Sequence, residues 1–151
     1  MSSASGSIEL PHGAWIGDRP QDIEAYLAAY GGESYPVHAF RLAKCSCGSL
    51  EFELEADDNE GTARRTCAVC GKKHLICESE EYWESSQPEK WQCVDCKSSD
   101  ANVGVGFSLD PESGEVIWLN VGYRCANCGV LGCFVGWKVS YTPSRQLLEK
   151  V

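Results

Sequence analysis

Along this chain apolar and polar residues alternate in several short runs, and once they fall at helical spacing. Leu50-Glu51-Phe52-Glu53-Leu54-Glu55 sets Leu50, Phe52 and Leu54 on one face and three glutamates on the other, the pattern of a half-buried antiparallel strand. Ala56 to Gly61 reads as a turn, and Thr62 to Thr66 as the returning strand, with Arg64 and Arg65 placed to face the glutamates. Val103, Val105, Phe107 and Leu109 alternate in the same way. Asp110-Pro-Glu-Ser-Gly114 is a turn, and Val116 to Tyr123 returns, apolar on both faces. Cys133 to Tyr141 predicts a last strand, and Val37 to Ala43 a lead-in strand before the first cysteines.

One segment is helical. Pro20 suits a first helical turn, Ile23, Tyr26, Leu27 and Tyr30 share one face, and Gly31-Gly32 ends the element. Before it, Met1 to Ser7 reads as a flexible tail, and residues 8–19 as an irregular arm that Trp15 and Ile16 pin to a core. Residues 78–92 are acidic and aromatic, a connector in which Trp83 and Trp91 suggest packing. Residues 143–151 form a short tail with a helical turn.

A chain of 151 residues makes one ordinary domain or two small ones. With 43% hydrophobic and 23% charged residues it is neither a disordered tail nor a membrane span. No basic-then-apolar leader opens it, so the expected location is cytoplasmic. Ten cysteines in such a chain point to metal rather than disulfides. The net charge is −9; residues 1–92 hold 16 acids and 8 bases, residues 93–151 hold 6 and 5. Thiolates around divalent ions would deepen that charge. Such a surface repels phosphate backbones, which puts nucleic-acid binding at a disadvantage.

Eight of the cysteines come in pairs: Cys45-Ser-Cys47, Cys67-Ala-Val-Cys70, Cys93-Val-Asp-Cys96 and Cys125-Ala-Asn-Cys128. Scattered at random, ten cysteines would give about 0.65 C-x2-C pairs, whereas three occur. A two-residue spacer lets a tight turn aim both sulfurs at one ion while its N–H groups spread the thiolate charge. The residue after the second cysteine often needs positive φ, which Gly48, Gly71 and Gly129 supply cheaply; Lys97 breaks that pattern. Two facing turns make a tetrahedral all-sulfur cage, typical of structural zinc. The order cysteine pair, strand, turn, strand, cysteine pair, strand describes residues 45–77 and again 93–141, an internal duplication whose units are each too small to hold without a metal.

At these residues the chain resembles the zinc-ribbon, or rubredoxin-like, superfamily, over about 36 residues in the first unit and about 50 in the second. The resemblance does not cover the N-terminal 44 residues; it implies two tandem zinc ribbons, each a small antiparallel sheet around a four-cysteine metal site, which with the helix read from periodicity gives a mostly β fold with one N-terminal helix. The expected organisation is arm, helix and lead-in strand (1–44), first ribbon (45–80), connector (81–92), second ribbon (93–142) and tail (143–151). The expected ligands of two Zn²⁺ ions are Cys45, Cys47, Cys67 and Cys70, and Cys93, Cys96, Cys125 and Cys128. The first pair is C-x-C, shorter than the ribbon pattern, so His74 or Cys77 stands as a substitute for Cys45 or Cys47.

Cys77 and Cys133 read as small buried strand residues, His74 as a strand residue near the metal, and His12 and His38 carry no assigned role. A thioredoxin-like site is excluded because β-type patterns, not a helix, follow the C-x-x-C pairs. A zinc deaminase is excluded because the chain has no His-x-Glu and no proline before a C-x-x-C pair. Around Trp83 the neighbours are Glu80, Glu81 and Glu84, so the tryptophans read as packing groups rather than a base-stacking platform. The expected function is non-enzymatic: an acidic, zinc-stabilised module for a protein partner with a basic surface, with no membrane role. The alternatives are rubredoxin-like iron electron transfer, or nucleic-acid binding through the second unit around Arg124 and Lys138.

Overall fold

The computed structural model describes residues 8–9 and 15–151. The predicted tail (1–7) and residues 10–14, with Pro11, His12 and Gly13 of the predicted arm, lie outside the described residues. The elements are β1 (Ile8–Glu9), β2 (Trp15–Ile16), α1 (Asp22–Gly31), β3 (Ala39–Leu42), β4 (Phe52–Asp57), β5 (Thr62–Cys67), β6 (Lys73–Leu75), β7 (Glu89–Lys90), β8 (Ala101–Leu109), β9 (Val116–Cys125) and β10 (Val130–Lys138), with 3-10 helices at Ile76–Glu81 and Arg145–Glu149. No helix among the described residues is long and apolar enough to cross a membrane.

The fold is mostly β with one α-helix, but the strands do not form two small sheets. They join in one ten-stranded sheet of order β1-β2-β10-β9-β8-β4-β5-β6, with β3 beside β8 and β7 beside β4. The cause lies at the first strand of each unit. A bare strand edge leaves N–H and C=O groups unpaired. β4 and β8 meet antiparallel at Phe52 and Ala101 and then run apart. Beyond that point β3 lies along β8, with Ala39 opposite Phe107, and β7 along β4, with Glu55 opposite Lys90. The arm segment is also a strand, since Trp15 and Ile16 pair with Leu131 and Val130.

Strand period decides which side chains meet the core. Phe52, Leu54, Val103, Val105, Phe107, Leu119 and Val121 are fully buried on one face, closed at the chain's end by Leu147 and Leu148. Glu53 and Glu55 take the other face, where Lys90 Nζ lies 3.3 Å from Glu53 and Arg64 Nη2 2.6 Å from Glu55. Arg64 thus meets the glutamates as predicted, and Arg65 does not. Neighbouring residues of a strand point to opposite faces, so Arg65 turns inward, over the Phe52 ring at 4.6 Å.

The helix begins where the Asp22 carboxylate accepts the N–H groups of Asp18 (2.8 Å) and Arg19 (3.1 Å), and ends at Gly32 with φ 54°. Ile23 and Leu27 are fully buried. They rest on backbone at Gly104, Gly106 and Gly122. Tyr30, expected on the same apolar face, is 57% exposed and stacks on Tyr26 instead. The tryptophans pack: Trp91 is buried against Tyr123, Trp83 lies under Arg64, and Trp118 stacks on Tyr35 with ring centroids 4.2 Å apart.

Candidate metal centres

Each cysteine pair sits on a tight turn between strands. The Gly71 N–H donates to the Cys67 carbonyl (3.0 Å), that of Lys97 to Cys93 (3.0 Å) and that of Gly129 to Cys125 (2.9 Å). The shorter Cys45-Ser-Cys47 turn closes one residue sooner, with Gly48 N–H donating to the Cys45 carbonyl at 2.8 Å. All four closing residues are left-handed: φ is 97° at Gly48, 79° at Gly71, 67° at Lys97 and 84° at Gly129. Lys97 therefore keeps the geometry that its side chain disfavours. Outside the turns, Cys45 and Cys93 donate their N–H groups to Ser49 and Ser98 carbonyls, both at 2.9 Å.

These turns bring the eight paired cysteines together in two groups, Cys45–Cys47–Cys67–Cys70 and Cys93–Cys96–Cys125–Cys128. Within each group the sulfurs lie within 4.8 Å of one another, an arrangement able to hold a metal ion. Among the sulfur pairs, Cys45 lies 3.5 Å from Cys70, Cys47 3.6 Å from Cys67, Cys93 3.5 Å from Cys128 and Cys96 3.5 Å from Cys125. A disulfide would need about 2.05 Å. A tetrahedron with metal–sulfur bonds near 2.3 Å has edges of about 3.8 Å, so the spacing fits a cage of four thiolates around one cation.

The first group keeps both Cys45 and Cys47 and includes neither His74 nor Cys77. His74 Nε2 meets the Lys150 carbonyl at 3.0 Å, and the Cys77 thiol points at the Leu147 carbonyl. Cys133 lies outside both groups, beside Tyr30 and Val135, and burial pushes its thiol up to about 12.

Four thiols this close cannot all ionise without a cation among them. In the first group Cys67 is pulled down to about 6, first by the Cys70 N–H; its sulfur accepts that N–H and the Val69 N–H, each at 3.4 Å. The Ser49 N–H pulls on Cys47 too, yet the neighbouring sulfurs, Cys67 first, prevail and push it up to about 11. In the second group the Asn127 side chain and then the Ser98 N–H bring Cys96 to about 6, while burial pushes Cys128 up to about 12. A divalent ion at the centre removes this conflict, because it replaces the protons.

The two centres differ in cover. Cys47 and Cys70 are exposed in the first, whereas in the second Cys96 and Cys128 are half-buried. Arg65 stands beside the first, with Nε donating to the Val151 carbonyl oxygen (3.0 Å) and its charge close to Cys45 and Cys67. The sequence carried a signal for it: Arg65 is two residues from Cys67 in one strand, hence on its face. Two four-cysteine groups therefore fit tandem, ribbon-like metal sites. Comparison with protein-family models, with curated proteins and with solved structures gives no match to this chain.

Proposed function

We propose that this chain is a non-enzymatic zinc protein of the zinc-ribbon type, with two structural zinc ions each held by four cysteines, serving as an acidic module for a basic protein surface. The observation that carries the reading is the convergence of two all-cysteine groups, each with four sulfurs within 4.8 Å. Four thiolates complete a tetrahedron and leave no position for water or substrate, the arrangement of a structural zinc site. The interaction part rests on charge: Asp58, Glu60, Glu81 and Glu84 are exposed on a chain of net charge −9. A nucleic-acid role through the second unit draws little support, because Arg124 donates to the Gly17 and Asp18 carbonyls and to Asn102 Oδ1.

Elemental analysis of the purified, reduced protein tests the metal. Two zinc ions per chain are expected. A red, iron-bearing preparation would turn the reading to electron transfer, and a metal-free chain with cystine bridges would end it. The partner is tested by titrating a lysine-rich peptide into isotope-labelled protein. Salt-sensitive shifts at Asp58, Glu60, Glu81 and Glu84 are expected, and unmoved signals there would remove the interaction role.

A further inference from the structure

The two metal units are related by more than sequence order. Phe52 opposes Cys67 in the first, and Ala101 opposes Cys125 in the second, so Phe52 and Ala101 hold the same position. Those two residues face each other where the units join. When equivalent positions pair with each other, the joint is of the self-complementary, two-fold kind. Equivalent hydrogen bonds flank it, one within each unit. The Ala68 N–H donates to Glu51 and the Ala126 N–H to Asp100, both at 3.0 Å.

The lead-in strands obey the same relation, and each lies on the other unit. Ala43, two residues before Cys45, donates its N–H to the Val103 carbonyl of the second unit at 2.8 Å. Trp91, two residues before Cys93, donates to the Leu54 carbonyl of the first, also at 2.8 Å. Among the described residues β3 pairs only with β8, and β7 only with β4. Each centre's first knuckle thus hangs from a strand seated on the opposite unit. A continuous row, Cys67–Phe52–Ala101–Cys125, also ties the two centres across the sheet.

We propose that the two centres fill cooperatively, an ion in one raising the affinity of the other through these reciprocally exchanged strands. The inference rests on the metal reading above. An ion in the second centre fixes the start of β8 against β9. That holds the acceptor at Val103 which positions Ala43, and so Cys45. The first centre acts on Trp91 and Cys93 by the same route. Linkage makes the effect equal in both directions.

The test is native mass spectrometry of the reduced, full-length chain equilibrated with Zn²⁺ in a chelator buffer that sets the mean occupancy at one ion per chain. Independent centres, equal or unequal in affinity, leave half or more of the molecules with a single ion. Between centres of equal affinity a coupling of about 5- to 150-fold lowers that share to about 30% and about 8% respectively, and the coupling proposed is one that outweighs any difference in affinity between the two centres. A single-ion share below half supports the proposal, and a share of half or more overturns it. Failure of the underlying metal reading looks different, since the chain then takes up no zinc at all. The route is tested by Ala43→Pro, which deletes the donor to Val103 and touches no cysteine. Its single-ion share is expected to rise towards half, and a share equal to the wild type's would overturn the strand route. Should that variant not fold, the wild-type titration still decides.

Discussion

Lys97 closes its knuckle at φ 67°, where the other three knuckles use glycine. A left-handed conformation costs an ordinary residue about 1–2 kcal/mol, part of which glycine gives back as chain entropy in the unfolded state. Lys97→Gly is therefore expected to stabilise the zinc-loaded protein by about 0.5–1 kcal/mol, read as a higher denaturant midpoint. A lower midpoint would show that the lysine side chain matters more than its backbone. Arg65 works differently. It is the positive charge beside Cys45 and Cys67, and its guanidinium carbon stands over the Phe52 ring. Arg65→Met keeps the stem and removes the charge, so the zinc affinity of the first centre should fall about tenfold or more, by competition titration. Unchanged affinity would make the arginine a packing residue only. The paired cysteines were legible at this scale because their spacing states their chemistry. The conformation of Lys97 was not, since nothing in a side chain announces that its backbone will bear strain.

Among the elements, the strands and the helix followed from period. Leu54 and Phe107 went inward because alternation put them there, and Ile23 and Leu27 did so through helical spacing. What local pattern does not encode is which strand pairs with which. β2 and β7 are two residues each, too short to show any period, and both exist through partners far along the chain. The glycines under the helix are another case where spacing alone is silent. A Cβ at Gly122 would lie 2.8 Å from Ile23 Cγ2 and 3.0 Å from both Leu27 methyl carbons. Gly122→Ala must push the helix off the sheet, so a loss of about 1–3 kcal/mol is expected in denaturant unfolding. A loss too small to measure would mean that the helix is free to shift.

For the whole molecule, the duplication was visible as a repeated order of parts, but its geometry was not. Two units read as separate ribbons merge because each covers the other's open strand edge. Structural zinc in small modules supplies on the order of 10–16 kcal/mol of apparent folding free energy per site at neutral pH. Stripping the metal with a chelator under reducing conditions should therefore abolish the strand signal in far-UV circular dichroism. The two halves should go in one transition, because neither lead-in strand has a seat of its own. A stripped chain that keeps its thermal midpoint would show that the apolar core suffices without the ions.

The placement of β3 on β8 also bears on how the protein is made. Ala39 leaves the ribosome well before Phe107, its partner across the ladder. The early cysteines are thus synthesised while the surface that orients their leading segment does not yet exist. The first unit has to wait for its later sibling, and maturation of its centre is tied to the emergence of β8 rather than to the appearance of its own ligands.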